Sequence, residues 1–171
     1  MEKLIGGKVS AVYYTTFESP VGPLLLAGDS NALHSVSFES SKRAARPTSD
    51  WKQDGAVFDE VIRQLRAYFS GELREFELPL AMEGTEFQLL VWNALRNIPY
   101  GETISYGQLA ERIGNPKAVR AVGLANGSNP IPIIVPCHRV IGSDGSLTGF
   151  GGGLSTKKML LDLESKQQRL L

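Results

Sequence analysis

The pattern of apolar and polar residues changes period near residue 80. A chain that does this builds a sheet first and a group of packed helices after it. Ahead of that point, Ala11 to Phe17 and Leu24 to Ala27 are apolar or β-branched runs, split by the turn signal Ser19-Pro20-Val21-Gly22-Pro23. Leu33 to Phe38 sets Leu33, Ser35 and Ser37 against His34, Val36 and Phe38, the two-residue period of a half-buried strand. Gly28-Asp29-Ser30-Asn31 supplies the turn before it. Ser40 to Gln53 is polar and lacks periodicity, so it reads as a flexible loop. Phe58, Val61, Ile62, Leu65 and Phe69 then recur at helical spacing, and Gly71 ends that helix.

Pro79 to Gly84 reads as a linker, and helix-start signals follow it in quick succession. Thr85 with Gln88 is a capping box opening a helix whose face carries Phe87, Leu90, Val91, Ala94 and Leu95, stopped by Pro99-Tyr100-Gly101. Ser105 with Gln108 repeats the box for a short helix ending at Gly114. Asn115-Pro116 offers an N-cap with proline at the first helical position, for a third helix through Lys117, Val119, Arg120, Val122 and Leu124 to about Asn126. Short helices around a tight glycine-containing turn fit a helix-turn-helix, and equally a plain helical hairpin. Ala118, Ala121, Gly123 and Ala125 give the exposed face of the second helix small residues, with Arg120 the long cation among them. Such a face suits close approach to a DNA backbone and an arginine inserted through the minor groove. Tight packing against the first helix explains the small residues as well. The expected fold is α/β (α+β): a domain of residues 1–80 with a small sheet and a helix, then a mainly helical, winged-helix-like domain of residues 81–171 with the helix-turn-helix.

Charge and cysteine content narrow the functions. With 18 basic and 18 acidic residues the net charge is zero, so any DNA binding rests on local positive charge and few phosphate contacts. No run of about 18 apolar residues occurs, so no membrane span is expected. The N-terminal segment lacks the apolar core of a signal peptide, which predicts a cytoplasmic protein. One cysteine and two histidines make a poor metal site, so neither metal nor cofactor is expected. That cysteine, Cys137, follows Pro136 and precedes His138 in a proline-broken, largely apolar stretch running from Ser128 to Ile141. By default a lone cysteine there is inert core, and a neighbouring histidine is structural. Adjacent side chains of an extended chain point apart, so a Cys137–His138 relay needs a non-extended backbone or a bridging water.

Pro136-Cys137-His138-Arg139-Val140 resembles the active-site signature of the O6-alkylguanine-DNA alkyltransferases (methylated-DNA–protein-cysteine methyltransferases). Ile104-Ser105-Tyr106, Asn115 through Gly123, Asn129-Pro130 and Gly152-Gly153-Leu154 are similar to family motifs in family order, covering residues 85 to 165. The first part shares the family's layout without a residue-specific motif. The resemblance implies direct, irreversible, single-turnover repair of duplex DNA. An alkyl group passes from O6-alkylguanine, with O4-alkylthymine as a second candidate, to Cys137 once the base is flipped out. It makes His138 the base for Cys137 through a water, Glu164 the holder of His138 and Asn129 the clamp on the active-site backbone. Tyr106 would donate to guanine N3. The carbonyls of Cys137 and Val140 would accept from the exocyclic amine, the Gly151 N–H would face O6, and Phe150 would wall the base. Arg120 would fill the space left in the stack, with Tyr106, Lys117, Ala121 and Gly123 at the DNA surface. Phe150 stands where many members have tyrosine, and Gly151 where some have serine. The expected partner is double-stranded DNA carrying O6-alkylguanine, met by a chain that is monomeric when free. A non-reactive DNA-binding module and a Cys-His hydrolase are the rival classes. No oxyanion-hole signature accompanies the cysteine, which weighs against the hydrolase.

Overall fold

The computed structural model describes residues 3–5 and 8–169. Strands β1 (Lys3–Ile5) and β2 (Lys8–Ser10) form a separate antiparallel pair. The main sheet holds β3 (Tyr13–Ser19), β4 (Gly22–Gly28), β5 (Leu33–Phe38) and β6 (Lys52–Gln53) in the order β5-β4-β3-β6. β3, β4 and β5 run antiparallel in succession, and β6 joins β3 in parallel. The tight β3–β4 turn closes on Gly22 at φ +97°, a backbone region that other residues enter at a cost. One face of the sheet buries Phe17, Leu24, Leu26, Val36 and Phe38 in the same core as Val61, Leu65 and Tyr68 of helix α1 (Asp59–Phe69). Gly71 at φ +82° terminates α1, with Glu72 N–H bonded to Ala67 O at 2.9 Å and Gly71 N–H to Tyr68 O at 3.0 Å.

Two segments read as loose are pinned. In the polar stretch 40–53, Ala45 N–H bonds Ser37 Oγ at 3.0 Å, Lys52 N–H bonds Val12 O at 2.9 Å, and its end forms β6. The expectation of a flexible loop is therefore corrected: backbone groups that lack a periodic pattern still find partners on the sheet. The linker 79–84 lies against β5, with Leu33 N–H on Pro79 O and Ala81 N–H on Leu33 O, both at 2.9 Å.

Both expected capping boxes form, opening α2 (Glu86–Leu95) and α3 (Tyr106–Arg112). On α2 the buried residues are Val91, Trp92 and Leu95, while Leu90 is 49% exposed. Trp92 takes the place expected for Leu90 because its indole N–H reaches Ala125 O at 2.8 Å and ties α2 to α4 (Val119–Gly127). The start of α4 also differs from expectation. Ala118 is its N-cap, without a side-chain bond, and Asn115-Pro116-Lys117-Ala118 is a turn closed by Ala118 N–H on Asn115 O at 3.0 Å. Ala125 is buried under Trp92 rather than on the exposed face. β7 (Ile104–Ser105) pairs in parallel with β8 (Val140–Ile141), which leads to α5 (Leu154–Arg169). A single apolar core runs through both halves, from Phe17 to Leu160. Among the described residues no helix is long and apolar enough to cross a membrane.

Candidate active site

Every residue from Ile131 to Val140 is buried, including all the polar ones. Prolines 130, 132 and 136 remove backbone donors, so the segment cannot join a regular ladder and must be held by other means. Asn129 supplies them. Its Oδ1 accepts from Ile131 N–H at 3.0 Å, and its Nδ2 donates to Val135 O at 2.8 Å. Val135 N–H closes back onto Ile131 O at 2.9 Å, and Val36 N–H of β5 bonds Pro130 O at 3.0 Å. Within this strap Ile133 sits at φ +74°, a left-handed conformation that costs a β-branched residue on the order of 1–3 kcal/mol.

The strap delivers the chain into a 3-10 turn over Cys137–Arg139, closed by Arg139 N–H on Pro136 O at 3.1 Å. The backbone is thus not extended at Cys137 and His138. Both side chains turn inward, Cys137 at 5% exposure and His138 at 0%. His138 Nε2 lies 3.0 and 3.1 Å from the two carboxylate oxygens of Glu164 on α5. A carboxylate only accepts, so Nε2 carries a hydrogen, and in the neutral imidazole Nδ1 holds the lone pair. Nδ1 is buried and has no hydrogen-bond partner among the described residues. Arg139 completes the group: its Nε donates to Glu164 Oε1 at 2.7 Å, its Nη2 to the same oxygen at 2.5 Å, and its Nη1 to Ile98 O at 2.7 Å.

Burial sets the proton affinities here. It pushes the Cys137 thiol up to about 11, against smaller opposing effects from Asn129 and Lys157. For His138, burial is the largest influence and lowers its proton affinity; Glu164 works the other way, and Arg139 and Lys157 add to the lowering. Burial alone would raise Glu164, but hydrogen bonds and charge from His138 and Arg139 hold it below the usual carboxylate range.

Cys137 opens onto a cavity of about 280 Å³. The first half of the chain contributes Phe38, Ser41 and Arg43 to its wall; the second contributes Asn126, Asn129, Phe150 and Gly151. Phe38 and Phe150 meet edge to face at 5.4 Å, and Gly152 lies so close to the Phe38 ring that a Cβ there would come within 2.9 Å of it. Arg43 crosses to Ser128 Oγ at 3.1 Å, behind α4. At the other side Tyr106 donates its hydroxyl to Thr148 O at 3.1 Å, and the fully buried Lys157 donates to Val140 O at 2.6 Å and Thr148 O at 3.0 Å.

The structure therefore brings Cys137, His138, Glu164 and Val140 into one buried cluster clamped by the half-buried Asn129, with Phe150 and Gly151 on its cavity wall. Lys117, Arg120 and Ala121 are exposed at the helix-turn-helix, Lys117 in the turn ahead of α4. Gly123 is half-buried, its α-carbon side facing the Tyr106 ring. Sequence reasoning missed Arg139, Lys157, Asn126 and the wall supplied by Phe38, Ser41 and Arg43. Glu164, which alone reads as a surface charge, is 1% exposed. One sequence signal was available: Lys157, Leu160 and Glu164 share a helical stripe, placing two charges where apolar residues belong.

Residues 86–166 match the family model of the 6-O-methylguanine DNA methyltransferase DNA binding domain, and residues 12–82 that of its ribonuclease-like domain. The methylated-DNA–protein-cysteine methyltransferase of Methanosarcina acetivorans is 58% identical over 153 residues, 90% of this chain and 98% of that one. The Mycobacterium tuberculosis protein of the same name is 52% identical over 157 residues, covering 91% and 94% of the two chains. The crystal structure of Mycobacterium tuberculosis OGT in complex with DNA superposes with a TM-score of 0.86 at 52% identity, over 91% of this chain and 94% of that one. A buried cysteine on a strained strap, a histidine–glutamate pair behind it and matches to two successive family domains converge: the chain belongs to the methylated-DNA–protein-cysteine methyltransferases, which repair DNA by alkyl transfer to a cysteine.

Proposed function

We propose that Cys137 takes the alkyl group from O6-alkylguanine in duplex DNA, once per protein molecule, after the base has been flipped out through the minor groove. The observation that carries this reading is Cys137 in the wall of a cavity, next in the 3-10 turn to the glutamate-held His138, whose buried Nδ1 has no hydrogen-bond partner among the described residues. A thiol pushed up to about 11 needs a base, and a water between Sγ and Nδ1 would pass the proton to the imidazole. The thiolate then attacks the alkyl carbon, the carbon–oxygen bond breaks, and its electron pair leaves on guanine O6. The thioether that forms has no route back to thiolate, so the chain reacts once.

The other roles follow from partners already in place. Tyr106 would protonate guanine N3 as the base leaves, which requires its hydroxyl to swing from Thr148 O. Val140 O accepts from Lys157 and keeps a second lone pair for the exocyclic amine of guanine. Cys137 O already accepts from Val140 N–H and, at 3.4 Å, from Asn126 Nδ2, so Val140 carries more of this contact. The Gly151 N–H would face O6, with Phe150 against the ring. Arg120 is exposed beside small residues on α4 and would enter the stack in place of the extruded base. Lys117, Ala121 and Gly123 would bring the α3–α4 face close to the backbone.

Three measurements test this. The yield of repaired guanine should saturate at one per chain however much damaged duplex is added; continued turnover contradicts single use. Arg120→Ala should slow repair of duplex at least about tenfold more than reaction with free O6-benzylguanine, since only the duplex must be opened. Equal slowing of both contradicts the role of Arg120. A duplex with O4-methylthymine should react more slowly, because thymine has no exocyclic amine to donate to Val140 O.

A further inference from the structure

Arg139 is 6% exposed and spends its whole guanidinium on neighbours. Two of its nitrogens grip Glu164, a third holds Ile98 O, and its face lies over the Tyr100 ring at 5.6 Å. Nothing assigned to the transfer so far uses it. The charges around His138 show what it does. From α5 the imidazole faces Glu164 and Lys157, and its own turn adds Arg139, with the Cys137 thiol preceding it in that turn. Glu164 in turn is faced by the buried hydroxyls of Tyr68 on α1 and Tyr100 beyond α2, both of which stay neutral there. The Arg139 cation and the Glu164 anion, in direct contact, cancel each other, and Lys157, bonded to Val140 O and Thr148 O, adds a further charge that disfavours an imidazolium.

We propose that Arg139 is a positioning residue that keeps Glu164 a carboxylate and His138 neutral, so that Nδ1 offers a lone pair to the Cys137 proton. Remove the cation, and Glu164 beside a neutral imidazole is an unbalanced buried anion. The Glu164–His138 pair, which titrates as a unit, then takes up a proton, and an imidazolium cannot accept another from the thiol. Lysine in this place would restore charge without the planar fork that spans one carboxylate and a carbonyl together. The inference rests on His138 acting as the base.

The test is the pH dependence of the single-turnover rate with free O6-benzylguanine, which bypasses DNA. Wild type should lose rate on the acid side as His138 is protonated, and His138→Ala should be slow without that limb. In Arg139→Met the limb should move up by about 1–2 pH units, the size of shift that a neighbouring charge produces, and in Arg139→Lys by less. Arg139→Met combined with Glu164→Gln removes both charges and should bring the limb back to the wild-type position or below, at a reduced rate. Should Arg139→Met not fold, nitrogen-15 shifts of the His138 ring in Arg139→Lys replace it. At neutral pH they should show a larger imidazolium fraction than wild type. An evenly lowered rate with the limb unmoved, or unchanged ring shifts, overturns the role of Arg139. If wild type itself lacks the limb, it is the reading of His138 as base that fails.

Discussion

The reactive segment and the α3–α4 face lie in one half of the molecule and are built by opposite rules. From Ile131 to Val140 every residue is buried, and polar groups in and around the segment are tied to it: Asn129 to the strap, Arg139 and the His138 Nε2 to Glu164, Lys157 to two carbonyls. On the α3–α4 face Lys117, Arg120 and Ala121 stand in solvent, and Leu124 is 66% exposed. The proposed chemistry is part of the core, whereas the surface proposed to face DNA is laid over it. Changes to the first should cost stability and transfer together; changes to the second should cost only transfer to DNA.

The comparison can be broken at its strongest point by Glu164→Ala. This leaves Arg139 buried without its counter-ion, and losing one partner of a buried pair costs about 3–5 kcal/mol. Denaturant unfolding should show that loss, alongside slow reaction with free O6-benzylguanine. Asn129→Ala comes next. It frees Ile131 N–H and Val135 O inside the core and should cost about 2–3 kcal/mol by the same measurement, with slower transfer because the strap shifts Cys137. Arg120→Ala is the contrast: its melting temperature should match wild type while duplex repair falls. A stability loss in Arg120→Ala as large as in Asn129→Ala would erase the distinction.

The remaining effect is a pH dependence. The folded thiol of Cys137, held at about 11, lies above its ordinary value of 9.0, so the native state keeps its proton more tightly than the unfolded chain. That contribution is complete below pH 9.0 and is lost as pH rises from there to about 11. Cys137→Ser should flatten the alkaline fall of stability over this window, read by thermal melts. An identical alkaline profile in both proteins would place the thiol outside the core.

Much of the scaffold was legible because local signals were strong. Leu33–Phe38 was read to its observed ends from alternation alone, and Thr85–Gln88 and Ser105–Gln108 form the capping boxes their spacing implies. Failures occur where tertiary contacts override local preference. Asn115-Pro116 has the chemistry of a helix start, yet the chain uses it for a turn and begins α4 at Val119. Leu90 ceded its core place to Trp92, whose indole N–H holds Ala125 O. Cys137 was visible through its motif, but the ion cluster behind it was not. Burial of Glu164, Arg139 and Lys157 depends on α5 returning across the strap, a contact spanning 25 residues or more for Glu164. Likewise, nothing in the polar run 40–53 shows that Ser41 and Arg43 wall a cavity built by the other half of the chain.

The central claim is that Cys137 itself receives the alkyl group. Incubating the protein with a duplex carrying one O6-methylguanine and weighing the intact chain tests it most directly. The account predicts one added methyl mass, located on the peptide containing Cys137 and absent in Cys137→Ser. An unchanged mass, or a methyl that persists in Cys137→Ser, would contradict it.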